Sequence, residues 1–137
     1  LSKKVEILII DDDQVNNFVL RNIILRAYPD ARIVTQPEGM SALDYLAERQ
    51  KNKEDLPGIV LLDINMPVMS GFEFLDRFHK QFENPNCFIY MVSSSISKSD
   101  QQKANSYGSV QGYITKPLVN QNIVFIVEEY LHSLNDG

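Results

Sequence analysis

A chain of 137 residues is the size of one ordinary domain, long enough for a single substantial core and too short for two. Its composition, 44% hydrophobic and 23% charged with six Gly and six Pro, excludes a fibrous protein and a disordered tail. A net charge of −5, with thirteen scattered Lys and Arg, argues against a nucleic-acid-binding surface, because neutralising phosphates requires clustered cations. No N-terminal apolar segment resembles a signal peptide or a membrane span, and the lone Cys87 cannot close an internal disulfide. A reducing, cytoplasmic setting is therefore expected. The first residue is Leu1 rather than Met, which is compatible with a chain cut from a longer one.

Short apolar runs alternate with longer segments of helical period, the pattern of a parallel sheet covered by helices on both faces. The first run, Val5 to Ile10, stops at Asp11, Asp12 and Asp13, and the segment after it sets Val15, Val19, Leu20, Ile23, Ile24 and Ala27 on one helical face. Pro29 marks the helix stop. A second strand, Ala31 to Thr35, leads to a helix near Ser41 to Gln50 and then to a polar loop, Lys51 to Asp55. Ile59 to Leu62 is wholly apolar and ends at Asp63, which suits a central strand buried on both faces. Phe74, Leu75, Phe78 and Phe82 stripe the third helix, and Phe88 to Val92 forms a fourth strand ending in Ser93, Ser94 and Ser95. The fourth helix, about Lys98 to Tyr107, is weakly amphipathic, which fits a loosely held element and equally a short polar helix on a rigid domain. Tyr113 and Ile114 make a short last strand before Lys116 and Pro117, and Ile123, Ile126, Val127, Tyr130 and Leu131 give the cleanest helical stripe.

In an open doubly wound sheet, ligands bind outside the carboxyl ends of the strands, where strand order reverses. Asp11, Asp12 and Asp13 follow the first strand, Asp63 the third, Ser93 the fourth and Lys116 the fifth. Two carboxylates about 4 Å apart repel by roughly 4 kcal/mol at an effective dielectric near 20, so such a cluster calls for a proton or a hard divalent cation. Magnesium fits, because it takes one or two carboxylates together with waters and phosphate oxygens. Asp63 can then act as a carboxylate nucleophile toward a phosphoryl group, with Lys116 as a compact positive charge on its oxygens. Asp13 fits a helix N-cap better than a metal ligand. His79 and His132 read as surface residues, and Cys87 as a small buried hydrophobe.

The segments Ile9-Ile10-Asp11-Asp12, Leu62-Asp63-Ile64-Asn65-Met66-Pro67, Met91-Val92-Ser93 and Lys116-Pro117 together resemble the receiver domain of two-component response regulators. The resemblance spans about Val5 to His132 and treats 1–137 as a single domain of the stand-alone, chemotaxis-regulator-like kind. It implies an α/β, flavodoxin-like fold: five parallel strands in the order 2-1-3-4-5 with five helices. It also implies that Asp63 is the phosphoacceptor, and that Asp11 and Asp12 hold Mg²⁺ together with Asp63 and the backbone carbonyl of Asn65. Asp12 is the more direct ligand of the acidic pair. Ser93 becomes the switch hydroxyl, Tyr113 the aromatic that moves with it, and Lys116 the phosphate-contacting lysine, preceding a proline bond that is often cis. The implied phosphodonor is a sensor histidine kinase or a histidine phosphotransfer protein. The signal then passes by protein contact, through the face of helix four, strand five and helix five, to an unidentified target, or the phosphate is relayed to a histidine phosphotransfer protein, without direct nucleic-acid contact or membrane insertion. On this reading the chain is no enzyme beyond promoting its own phosphorylation and dephosphorylation.

Two further features of the sequence stand beside the resemblance. The family commonly carries a Gly-Ala pair before its last strand, whereas this chain reads Tyr107-Gly108-Ser109-Val110-Gln111. Asn65 and Ser95 border the route of a hydrolytic water, and neither carries a charge that sets its rate. A rival resemblance comes from Asp11-Asp12-Asp13, which also fits the Asp-x-Asp opening of haloacid-dehalogenase-like phosphatases, with Asp11 as nucleophile. That reading needs a late acidic motif, and only Asp100 follows the fourth strand near a helix start.

Overall fold

The computed structural model describes residues 5–83, 85–94 and 97–135. Five strands alternate strictly with five helices: β1 (Glu6–Ile10), α1 (Gln14–Ala27), β2 (Arg32–Gln36), α2 (Gly39–Lys51), β3 (Ile59–Asp63), α3 (Gly71–Gln81), β4 (Phe88–Ser93), α4 (Lys98–Asn105), β5 (Val110–Thr115) and α5 (Asn120–Asn135). All strand pairs are parallel, and the sheet order is β2-β1-β3-β4-β5, the flavodoxin-like order. The order in which successive strands are added switches sides between β1 and β3, so the acids that follow these two parallel strands become neighbours.

Period-two alternation sorts the strand residues between two cores. Leu8, Ile10, Val60, Leu62, Ile89 and Met91 face α2 and α3, whose Leu43, Leu46, Phe74 and Phe78 complete one cluster. Ile7, Ile9, Ile59, Leu61, Tyr90 and Val92 face α1 and α5, meeting Leu20, Ile24, Ile123, Ile126 and Val127. β3 is buried along its whole length, as its apolar run implies, while the edge strands β2 and β5 are only partly covered.

The α1 face departs from the sequence expectation. Val15, Phe18 and Val19 are 75%, 66% and 51% exposed, and the buried residues of the helix are Asn17, Leu20 and Ile24. The six apolar positions grouped in the sequence cover too wide an arc for one buried stripe. The inward position in the first turns goes instead to Asn17, whose carboxamide donates to the Asp11 carbonyl at 2.9 Å. That bond satisfies the amide nitrogen, while the buried Oδ1 meets no hydrogen-bond donor among the described residues.

β5 is longer than the expected Tyr113-Ile114 pair because Gln111 and Gly112 interrupt its apolar signal. Ile89 pairs with Val110 and Tyr90 with Gly112, so Gln111 is the extra residue of a bulge. Tyr107, just beyond α4, stacks between Phe72 and His79 and donates to Asp76 at 2.8 Å, while His79 Nε2 and Ser109 Oγ lie 2.7 Å apart. The loop that departs from the family pattern is thereby pinned to α3. α4 itself buries only Ala104.

Candidate functional site

The register of the sheet builds the site. Ile10 pairs with Leu62, which places Asp11 and Asp63 side by side at the carboxyl ends of β1 and β3, while Val92 pairs with Asp63 and Ser93 with Thr115. The Lys116 amide donates to the Ser93 carbonyl at 2.8 Å, and the Lys116–Pro117 bond is cis. The β3–α3 turn is tied back by the Gly71 amide, which donates to the Ile64 carbonyl at 2.9 Å. A Cβ at Gly71 would stand 2.6 Å from the Asp63 carbonyl oxygen and 3.0 Å from the Ile64 Cα. Both are backbone atoms that cannot step aside. Gly71→Ala is accordingly expected to destabilise the fold by about 1–3 kcal/mol, as overpacking does, and to slow phosphorylation by displacing Asp63. Urea unfolding and a phosphorylation time course measure the two effects.

One carboxylate oxygen from each of Asp11, Asp12 and Asp63 lies within 4.8 Å of the others, with Asp11 and Asp63 buried and Asp12 exposed. Lys116 Nζ stands 2.6 Å from Asp11 Oδ2 and 3.7 Å from Asp63 Oδ1. Asp11 is further engaged by the Asp13 amide on Oδ1 at 2.9 Å and by Asn16 Nδ2 on Oδ2 at 3.3 Å. Asp63 Oδ1 accepts from the Asn65 amide at 3.3 Å. Asn65 also donates from Nδ2 to Ser93 Oγ at 3.0 Å. Asp13 caps α1, its Oδ1 accepting from the Asn16 amide at 3.0 Å.

Burial pushes the Asp63 carboxyl above the ordinary aspartate value, and Asp11 and Asp12 add to the rise against the opposing pull of Lys116 and the Asn65 N–H. Burial by itself would lower the Lys116 ammonium, but its contact with Asp11, joined by Asp63 and Asp13, outweighs that and leaves it raised. The two directions are consistent, because Lys116 sits tightly on Asp11 and more loosely on Asp63. Among the described residues one cation therefore serves three converging acids, and the donor set, all carboxylate oxygen, suits a hard divalent ion such as Mg²⁺.

The sequence profile of the response regulator receiver domain matches residues 7–128. The chain belongs to this family. A two-component response regulator from Cytophaga hutchinsonii is 31% identical to this receiver, with a TM-score of 0.85 over 95% of this chain and 99% of that one. A probable methanogenesis regulatory protein, FilR2, from Methanothrix harundinacea is 28% identical over 90% of this receiver and 79% of its own length. The sensor histidine kinase CheAY of Helicobacter pylori is 26% identical over 89% of the receiver, which spans 14% of that protein. The receiver is thus similar to proteins of very different length. As a member of this family it is a phosphorylation-activated response regulator domain, and the phosphatase reading of Asp11 is not supported.

Six of the seven expected site residues, Asp11, Asp12, Asp63, Asn65, Ser93 and Lys116, gather at the carboxyl edge of the sheet. Tyr113, paired with Met91, is half-buried against the α2–α3 core. Ser95, expected on the water route, lies outside the described residues. Two contributors escaped the sequence reading, Asn16 and Asn17, which hold the side chain and the carbonyl of Asp11. Their signal was an Asn pair on the first turn after the acids, easily taken for a solvated helix start. Cys87 is buried as expected, its thiol pushed up to about 12 by burial. His79 is exposed.

Proposed function

We propose that Asp63 accepts the phosphoryl group, with Asp11, Asp12, Asp63 and the Asn65 carbonyl holding Mg²⁺ and Lys116 placed to contact phosphoryl oxygens. The observation that carries this reading is the burial of Asp63 on the central strand, within 4.8 Å, oxygen to oxygen, of Asp11 and Asp12, and 3.7 Å from the lysine ammonium. When bound, Mg²⁺ supplies the positive charge that lets an anionic carboxylate approach an anionic phosphoryl group. An Asp63 oxygen then attacks the phosphorus of a phosphohistidine. The new P–O bond forms as the P–N bond breaks, and the imidazole nitrogen keeps the electron pair. Lys116, held by Asp11, stays positive through the transfer. The domain promotes its own phosphorylation and dephosphorylation and turns over no separate substrate.

The resulting phosphoryl oxygens are acceptors for the Ser93 hydroxyl, and the rearrangement reaches Tyr113 on β5, shifting an equilibrium at the α4–β5–α5 face. Phe125, 62% exposed on α5, offers an apolar contact there for a protein target. The donor is a sensor histidine kinase or a histidine phosphotransfer protein, seated on the exposed Val15, Phe18 and Val19 of α1 beside the acids. The setting is cytoplasmic. No helix among the described residues is long and apolar enough to cross a membrane.

Acetyl phosphate with Mg²⁺ is expected to produce one acid-labile phosphoryl adduct by intact mass, and EDTA to suppress it. A folded protein that gains none would refute the assignment. Phe18→Ala is expected to slow transfer from a phosphorylated histidine phosphotransfer domain about tenfold, as loss of one apolar anchor does, while leaving the acetyl phosphate rate close to wild type. Equal slowing with both donors would place Phe18 in the chemistry rather than in docking.

A further inference from the structure

We infer that the Asn65 side chain is a positioning residue for Ser93, holding the hydroxyl oxygen in a sense that lets its single hydrogen turn to the phosphoryl group. The inference rests on the assignment of Asp63 as acceptor. It starts from one contact, Asn65 Nδ2 donating to Ser93 Oγ at 3.0 Å, made by a residue whose own amide donates to Asp63 Oδ1 at 3.3 Å. Asn65 therefore bridges the residue that is modified and the residue that responds.

The direction of the bond decides what it does. A hydroxyl carries one hydrogen and two lone pairs. As donor, Asn65 occupies a lone pair and makes no claim on the hydrogen, so the resting contact and a contact to a phosphoryl oxygen can exist together. An acceptor at position 65 would claim the hydrogen and compete for it. With Asn65 as donor, a Ser93 O–H bond to the anion would run in series with the Asn65 N–H bond to the Ser93 oxygen, and bonds in series strengthen one another.

A serine oxygen is steadied by such a contact. A β-branched side chain is stiff at its first torsion, whereas serine has three accessible staggered wells. Ser93 is fully buried, while Asn65 sits exposed at the mouth of the site. The anchor is thus supplied from outside the core, where residue 65 can change without repacking the sheet.

The test is a double-mutant cycle with beryllofluoride as the phosphoryl mimic at saturating Mg²⁺, titrated calorimetrically into wild type, Asn65→Ala, Ser93→Ala and the double variant. Asn65→Ala is expected to bind about fivefold more weakly, the size of one neutral hydrogen bond, and to bring no further loss once Ser93 is alanine. In the absence of any ligand, the Asn65 side-chain ¹H–¹⁵N resonances should move when Ser93 becomes alanine. Wild-type or tighter binding by Asn65→Ala overturns the inference, and so does an equal loss in the Ser93→Ala background. Thermal melts verify that Ser93→Ala is folded. If it is not, binding by Asn65→Ala still decides the matter, because position 65 is on the surface. Failure of wild type to bind beryllofluoride would instead overturn the assignment of Asp63 itself.

Discussion

Asp63→Asn is expected to abolish phosphoryl uptake from acetyl phosphate while making the protein more resistant to heat at neutral pH. Loss of uptake follows because a carboxamide is no nucleophile toward phosphorus and no carboxylate partner for Mg²⁺. The gain in stability follows from the electrostatics of the site. Burial and the neighbouring Asp11 and Asp12 raise the Asp63 carboxyl above its unfolded value. The native state then binds that proton more tightly than the unfolded chain does, so stability falls as pH rises through the raised value and is recovered as pH falls toward the unfolded one. At neutral pH the ionised group opposes folding. A neutral carboxamide at position 63 removes that opposition and flattens the acid side of the stability profile. Mg²⁺ is expected to raise the melting temperature of wild type by binding only the native state, and to do so far less in Asp63→Asn. Melts from pH 4 to pH 8, with and without Mg²⁺, measure all of this. A variant less stable than wild type at neutral pH would show that Asp63 is held by favourable contacts rather than against repulsion.

The second large effect is structural. Phe78→Ala is expected to cost about 3–5 kcal/mol, the range for removing a large buried aromatic side chain and leaving a cavity. Phe78 is 0% exposed and lies between Phe74 and Phe82, with ring centroids 5.7 Å and 5.1 Å away. Its neighbours are Phe74 on the same helix, Phe82 at the helix C-cap and core residues of the sheet, so little of the space can be refilled. For a domain whose total stability is about 5–15 kcal/mol, such a loss approaches the limit of folding. The urea midpoint should fall with little change in slope, and Phe78→Leu should recover most of the difference. A loss below about 1 kcal/mol would mean that this core does not depend on the α3 stripe.

The strand ends were legible in the sequence because each apolar run stops at a polar residue, as at Asp11, Asp63, Ser93 and Lys116. The buried length of β3 and the α5 stripe followed from unbroken patterns. What escaped were places where a side chain acts against its type. Asn17 turns inward because the Asp11 carbonyl needs a donor, and Val15 and Val19 turn outward, which periodicity alone misassigns. The β5 boundary was missed because a bulge residue and a glycine carry no strand signal. The contact from Asn65 to Ser93 joins residues 28 positions apart, and such a pairing can be seen only once β3 and β4 are adjacent.

The bulge at Gln111 bears on how this domain tolerates change. It takes up the surplus residue at the upstream end of β5, so that Gly112, Tyr113, Ile114 and Thr115 still pair in step with Tyr90, Met91, Val92 and Ser93. Without it, one added residue would rotate every later side chain of the strand to the opposite face and carry Tyr113 and Lys116 out of phase with the acids. The irregularity works as an insulator. One surplus residue arriving from the α4–β5 loop is absorbed before it reaches the chemistry.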